Sequence, residues 1–206
     1  MNKTYEDITA IILAGGESKR IGENKALLKL GNKTIIELIH HVLSLHFKNI
    51  LISANDDIIH NILDRQIIHD IINNHGPLSG IHSGLVNSQT ERNFFISCDL
   101  PFIDSQSIIY LIESSFDAEI AIPVINKYPL YVCGVYSKKI IPLIEKIFFE
   151  FEKPSLKLLT NQVQTKLLEI EKEKFFNPES FVNMNSREDY ELVKRIFYSK
   201  NHGDAQ

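Results

Sequence analysis

Cysteine is scarce in this sequence, and it has neither a long apolar run nor an excess of positive charge. Cys98 and Cys133 are the two cysteines among 206 residues. Two cysteines do not make a disulfide framework, and their spacing is not that of a zinc site. We therefore interpret both as small hydrophobic side chains of the core.

The charge balance argues against a nucleic-acid partner. The formal net charge is −4 and the isoelectric point is near 6.1. The protein therefore has no overall positive field that could bind the sugar-phosphate backbone of a nucleic acid. A chain of this charge that handles phosphates must concentrate a few cations at one site.

Membrane insertion and export are also not expected. No apolar stretch approaches the length of a membrane span. Residues 1–9 carry Glu6 and Asp7 and lack the cationic start and the apolar run of a signal peptide. We expect a cytoplasmic protein without a membrane partner.

The chain has the composition of one soluble domain, with 44% hydrophobic and 23% charged residues. Short isoleucine-rich runs alternate with longer helical patterns, which is typical of βαβ units. We predict a single Rossmann-like α/β domain over residues 1–198, with a mostly parallel sheet and helices on both faces. Residues 199–206 are predicted to form a flexible tail.

Apolar periodicity locates the individual elements. Strands are predicted at 9–13, 49–53, 66–70, 93–98, 119–125, 131–136 and 165–168, the fifth and sixth paired as a hairpin. Helices are predicted at 34–47, 56–63, 80–88, 104–115, 139–149, 155–161 and 187–197, with Asp104 as an N-cap.

A glycine-rich segment after the first strand is the most informative about function. It reads LAGGESKRIGENK and contains Gly15, Gly16, Arg20 and Lys25. Glycines let backbone N–H groups converge on phosphate oxygens, and the two cations can neutralise a triphosphate. The segment therefore predicts phosphate binding, although a glycine-rich turn with solvated charges would have the same composition.

Two familiar phosphate motifs do not fit this segment. A P-loop lysine directly follows the last glycine and precedes a serine or threonine, whereas Lys25 is followed by Ala26. The three glycines of the dinucleotide fingerprint are also absent in the required order.

Asp99 is the predicted metal ligand. It follows the apolar strand predicted at 93–98, and open α/β sheets bind ligands at the carboxyl ends of their strands. Mg²⁺ prefers one or two protein carboxylates together with phosphate oxygens and water. The alternative is that Asp99 caps a turn.

Taken together, these motifs resemble a known family. The string LAGGESKRIGENKALLKLGNKTIIE is similar to the signature of the MobA-like nucleotidyltransferases, which are related to the sugar-nucleotide pyrophosphorylases. Three further segments match in the family's order: GPLSGI at 76–81, CDLPFI at 98–103 and FVNMNSRED at 181–189. The matches span nearly the whole chain and imply the nucleotide-diphospho-sugar transferase type of fold.

The resemblance implies roles for individual residues. Lys25 and Arg20 would stabilise the phosphates, Asp99 would hold Mg²⁺, and Asn183 and Asn185 would line the acceptor or metal side. One departure is Ser53, where the family often has an asparagine, and this weakens the case for the same base contact. The implied nucleotide contacts are Leu13, Ala14, Gly15, Gly16, Lys25, Ser53, Asp70 and Asp99.

The resemblance also implies a reaction. An acceptor phosphate would attack the α-phosphorus of GTP and release pyrophosphate, with molybdenum-bound molybdopterin as acceptor and the guanine dinucleotide form of the cofactor as product. Molybdoenzyme maturation proteins would be possible partners. Alternatives are a nucleotidyltransferase that uses CTP or another phosphorylated acceptor, a nucleotide-sensing domain without turnover, and a non-catalytic partner of molybdoenzymes.

Overall fold

The computed structural model describes residues 3–15, 24–55, 59 and 62–202. Its strands are β1 (Tyr5–Leu13), β2 (Lys29–Leu30), β3 (Lys33–Thr34), β4 (Phe47–Ser53), β5 (Gln66–Ile68), β6 (Arg92–Ser97), β7 (Ile120–Ile125), β8 (Tyr128–Pro129), β9 (Cys133–Ser137) and β10 (Thr165–Leu168). Its α-helices are α1 (Ile35–Ser44), α2 (Pro77–Asn87), α3 (Ser105–Glu113), α4 (Ile141–Glu150), α5 (Leu156–Thr160) and α6 (Arg187–His202).

An eight-stranded sheet runs through the centre in the order β10-β7-β9-β6-β1-β4-β5, with β8 paired to β7. The four strands β6, β1, β4 and β5 are mutually parallel. Strand β9 is antiparallel to both of its neighbours, and β10 is parallel to β7. The predicted mostly parallel sheet is therefore confirmed.

Two hydrophobic clusters cover the two faces of this sheet, because successive side chains of a strand point to opposite sides. In β1, Ala10 and Ile12 belong to one cluster, and Ile11 and Leu13 belong to the other. Helices α1 and α3 pack into the first cluster, and α2, α4 and α5 pack into the second. Helices thus lie on both faces, as predicted.

Helix α2 lies directly over the ends of the central strands. It begins at Pro77, which needs no N–H partner in the first turn, after Gly76 with φ of +58°. A Cβ atom at Gly80 would lie 3.0 Å from Leu13 Cδ2 and 3.0 Å from Ser53 Oγ. The glycine therefore permits the close approach of this helix to the sheet.

Several predicted boundaries need correction. The helix predicted at 34–47 ends at Ser44, and Phe47 instead opens β4, where its ring stacks on Phe94 at 5.6 Å. The helix predicted at 80–88 already begins at Pro77. The strand predicted at 66–70 ends at Ile68. Most of the helix predicted at 56–63 lies outside the described residues.

The C-terminal helix is longer than predicted. Helix α6 continues to His202, so residues 199–202 of the predicted tail are helical, and residues 203–206 lie outside the described ranges. The hairpin prediction is confirmed by the antiparallel pairing of β7 with β9, and Asp104 caps α3 through Ser107 N at 2.8 Å. Within the described ranges, no helix is both long and apolar enough to cross a membrane.

Candidate active site

Four residues form a row across the carboxyl edge of the parallel strands. Leu13 is in register with Ser53 on one side and with Ser97 on the other, and Ser53 is in register with Ile68. The residues two positions beyond this level lie side by side where open α/β sheets bind ligands. They are Asp99, Gly15, Asn55 and Asp70.

The charged centre of the row is a contact between Lys25 and Asp99. Lys25 Nζ lies 3.0 Å from Asp99 Oδ1 and also donates to Asn185 Oδ1 at 3.0 Å. The two charged side chains are 13% and 22% exposed, so both are shielded yet reachable. Lys25 opens a short 3₁₀ turn that Asn24 caps by accepting from Ala26 N at 3.0 Å.

The segment before α6 closes over this pair. Met184 N donates to the backbone oxygen of Asp99 at 2.9 Å. The Asp189 carboxylate accepts the N–H groups of Asn185 and Ser186 at 2.9 and 2.8 Å, and Ser186 Oγ accepts Asp189 N at 3.1 Å. This reciprocal cap fixes the start of α6 and, with it, the Asn185 amide that receives Lys25.

The same cap perturbs the ionisation of Asp189. The N–H group of Asn185, foremost, and the hydroxyl and N–H groups of Ser186 stabilise the carboxylate, and these contacts lower the pKa of Asp189 below its ordinary value of 3.8. The positive charge of Lys25 acts in the same direction.

Asp70 is joined to Asn55, a residue that the sequence analysis did not select. Asn55 Nδ2 donates to Asp70 Oδ2 at 3.0 Å, and Asn55 Oδ1 accepts Asp70 N at 3.2 Å. By contrast, Ser53 is 3% exposed and lies beneath α2. The position of Asn55 just after a predicted strand, at the carboxyl edge of a parallel sheet, was the available signal.

The remaining predicted site residues fall into three groups. Leu13 and Ala14 are buried, and Ala14 N donates to Ser53 O at 2.8 Å, so the strand ends are tied together. Gly15 is exposed at the end of β1, whereas Gly16 and Arg20 lie outside the described residues. Asn183 Oδ1 is buried and has no hydrogen-bond partner among the described residues.

The two cysteines take no part in this arrangement. Both are buried, and burial raises the pKa of the Cys98 thiol, like that of Cys133, to about 12. Neither thiol is therefore ionised at neutral pH, and their interpretation as core residues is confirmed.

A divalent cation at Asp99 would need ligands beyond the carboxylates of the described residues. The described residues contain no group of three or more histidine, cysteine, aspartate or glutamate side chains that could hold a metal ion by themselves. A single reachable carboxylate does, however, fit the preference of Mg²⁺ for one or two protein carboxylates completed by phosphate oxygens and water. The residues present are thus compatible with an ion shared with a nucleotide.

Fold and site together define an α/β nucleotidyltransferase, in which a lysine and an aspartate meet at the carboxyl edge of a parallel sheet. The chain belongs to the MobA-like NTP transferase family, whose sequence model matches residues 10–165.

Relatives support this assignment over nearly the whole chain, and a solved structure shares the fold. A protein of Carboxydothermus hydrogenoformans named "Probable molybdenum cofactor guanylyltransferase" is 32% identical over 197 residues, covering 95% of this chain and 99% of its own. A protein of the same name from Methanosarcina mazei is 33% identical, covering 89% and 88%. The crystal structure of molybdopterin-guanine dinucleotide biosynthesis protein A from Archaeoglobus fulgidus superimposes with a TM-score of 0.81 at 20% identity, covering 93% and 99%, and shows the shared fold.

Proposed function

We propose that this protein transfers GMP from GTP to molybdenum-bound molybdopterin, which releases pyrophosphate and forms the guanine dinucleotide cofactor. Relatives named molybdenum cofactor guanylyltransferase match it at about one third identity over most of its length. We further propose that the reaction takes place in the cytoplasm, where GTP is available, and that molybdoenzyme maturation proteins receive the product.

The observation that carries this proposal is the contact of Lys25 with Asp99 at the carboxyl edge of the sheet. In the free protein the ammonium group neutralises the carboxylate. Phosphates that enter the cleft meet a lysine with three N–H donors, and a flexible stem lets it turn toward them. An ion pair in this partly exposed position would contribute little to the stability of the fold.

The chemistry requires positioning and charge neutralisation from the protein. The acceptor phosphate is already an anion, so no side chain has to remove a proton from the nucleophile. Lys25 would stabilise the negative charge that develops on the departing pyrophosphate. Mg²⁺ held by Asp99 would supply neutralisation of the phosphate oxygens. Arg20 is proposed to assist Lys25.

The acceptor side is proposed to lie at the segment that precedes α6. Asn185 is anchored to Lys25 at 3.0 Å, and the buried oxygen of Asn183 has no partner among the described residues. Buried polar atoms are nearly always satisfied in folded proteins. An acceptor that donates a hydrogen bond to Asn183 would satisfy it.

A turnover screen tests the proposal. Purified protein is incubated with Mg²⁺, molybdenum-loaded molybdopterin and each of the four NTPs, and pyrophosphate and the dinucleotide product are quantified. We expect kcat/KM for GTP to exceed that for CTP and ATP by at least ~10-fold, or about 1.4 kcal/mol. Faster turnover of CTP than of GTP would indicate that the protein is a cytidylyltransferase. Nucleotide binding without turnover of any acceptor would indicate a nucleotide-sensing domain.

A further inference from the structure

The amide of Asn55 holds Asp70 at two points. Its Nδ2 donates to the carboxylate oxygen Oδ2, and its Oδ1 accepts the backbone N–H of the same residue. The resulting ring fixes both the backbone and the side chain of Asp70. Only a primary amide provides the donor and the acceptor at this spacing, because a carboxylate donates nothing and a serine is too short.

The second carboxylate oxygen of Asp70 lies beside the first turn of α2. Oδ1 accepts no hydrogen bond from any described residue that the structure records, and it lies 3.9 Å from the place that a Cβ atom at Gly80 would occupy. The glycine thus leaves room beside this oxygen at the first turn of α2. A carboxylate has capacity for about four hydrogen bonds, and the described residues take up only part of that capacity in Asp70.

The position of Asp70 in the row decides which part of a nucleotide it meets. Strands β5, β4, β1 and β6 are consecutive neighbours, so Asp70 lies three strands from Asp99. At about 4.8 Å per strand, this separation is roughly 14 Å. The phosphates belong beside Lys25 and Asp99, and this distance is comparable to the reach of a nucleotide from its phosphates to the far edge of its base.

We propose that Asn55 is a positioning residue for base recognition, which orients Asp70 so that Oδ1 accepts the N1–H and N2–H₂ donors of a guanine. The inference rests on the proposed function for the identity of the base. Asn55 acts through Asp70, because its amide donates to the Asp70 carboxylate and accepts the Asp70 backbone N–H. It thereby contributes to the selection of GTP over nucleotides whose base lacks these adjacent donors.

The test compares GTP with ITP, whose base lacks only the N2 amino group. For wild type we expect GTP to be preferred by about tenfold in kcat/KM, the value of a hydrogen bond to a charged group. In Asn55→Ala this preference falls toward unity through a higher KM for GTP, while kcat changes little. An equal loss for both nucleotides, or an unchanged preference, overturns the inference.

Asn49→Ala is the matched control. Asn49 is exposed near the start of β4, the strand that ends two residues before Asn55, and its side chain donates to the backbone oxygen of Glu6 at 3.3 Å. This variant removes an equivalent amide and should keep the GTP preference of wild type. A loss of preference in both variants would assign the effect to the strand as a whole and would also overturn the inference.

A double-mutant cycle separates positioning from direct contact. If Asn55 acts through Asp70, Asn55→Ala should cause no further loss of GTP preference in an Asp70→Ala background. Additive losses would show that Asn55 contacts the base itself and would contradict the positioning role.

Calorimetric binding of GTP and ITP to the same variants needs no acceptor. It therefore tests Asn55 even if turnover with molybdopterin fails. If turnover fails while wild type binds GTP more tightly than ITP and Asn55→Ala loses this preference, the proposed function is contradicted and the base-recognition role is supported. If the wild-type protein binds GTP and ITP equally, the proposed role of Asn55 in base recognition is contradicted, whichever acceptor the protein uses.

Discussion

The polar network around Thr90, at the amino end of the central strands, differs in character from the site at their carboxyl end. At the amino end of β1 and β6, Thr90 Oγ1 accepts the N–H of Thr9 at 2.9 Å and lies 2.8 Å from its hydroxyl. Asn93, which is fully buried, donates to Thr90 O at 3.2 Å, and Ser88 Oγ accepts Thr90 N at 3.1 Å. This amino-end network is uncharged, and its groups donate and accept hydrogen bonds among themselves.

The carboxyl end is charged, partly exposed and incompletely satisfied. Lys25 and Asp99 pair there in reach of solvent, and Asp70 presents an oxygen to which none of the described residues donates a recorded hydrogen bond. A closed network of neutral groups stabilises the fold, whereas spare hydrogen-bonding capacity beside a charge is available for a ligand. Changes at the carboxyl end should therefore alter catalysis, and changes at the amino end should alter stability.

The largest effect is expected for Asp99→Asn, which removes the carboxylate charge and little volume. Loss of a metal ligand costs several kcal/mol of transition-state stabilisation, which corresponds to a fall in kcat of about 10³-fold or more. The rate is measured against Mg²⁺ concentration, and a thermal melt of the same sample should match wild type. Turnover near the wild-type rate would refute the metal assignment.

Lys25→Met should have the next largest effect. It keeps the aliphatic stem but removes the charge that we propose stabilises the departing pyrophosphate, and the expected loss is about 2–4 kcal/mol. Single-turnover kinetics with saturating GTP measure the chemical step. Lys29→Met is the control, because Lys29 is an exposed residue of β2, and it should retain activity. Equal losses in the two variants would contradict the assignment of Lys25 to the phosphates.

The sequence was sufficient to predict the fold class, because alternating apolar patterns and strand-end glycines are local signals. It also predicted that Lys25 and Asp99 would serve one site, and the structure places their side chains 3.0 Å apart although they are 74 positions apart in the sequence. The Asn55–Asp70 pair was missed because it depends on the register of β4 with β5. The start of β4 was missed because Phe47 continues the helical pattern of α1, and only its packing against Phe94 assigns it to the sheet.

At the amino end, Thr90→Val should lower stability and leave activity unchanged. The variant keeps the shape of the side chain but deprives the N–H of Thr9 of its acceptor. A part-buried donor left unsatisfied costs about 1–3 kcal/mol. Urea unfolding gives the free energy of unfolding, and the GTP turnover assay gives kcat/KM. A variant with wild-type stability, or one with a specific loss of kcat, would contradict the assignment of stability to the amino end and catalysis to the carboxyl end.

The smallest effect concerns Asp189, whose carboxylate stabilises the segment that carries Asn185. Contacts with the N–H group of Asn185, and to a lesser degree with Ser186, lower the pKa of Asp189 in the folded protein below 3.8. Above pH 3.8 the group is ionised in both the folded and the unfolded state, so its stabilising contribution is fully present there. As the pH falls from 3.8 through the lower folded pKa, the unfolded state takes up the proton first, and the contribution is lost.

Asp189→Asn keeps an acceptor oxygen without the charge, so it should reduce the free energy of unfolding by about 1 kcal/mol or less at neutral pH. Urea unfolding of wild type and Asp189→Asn is measured at neutral pH and again below pH 3.8. The difference in free energy of unfolding between the two proteins should shrink in acid, because all other groups titrate alike in both chains. A difference that is the same at both pH values would mean that the charge of Asp189 does not stabilise the start of α6.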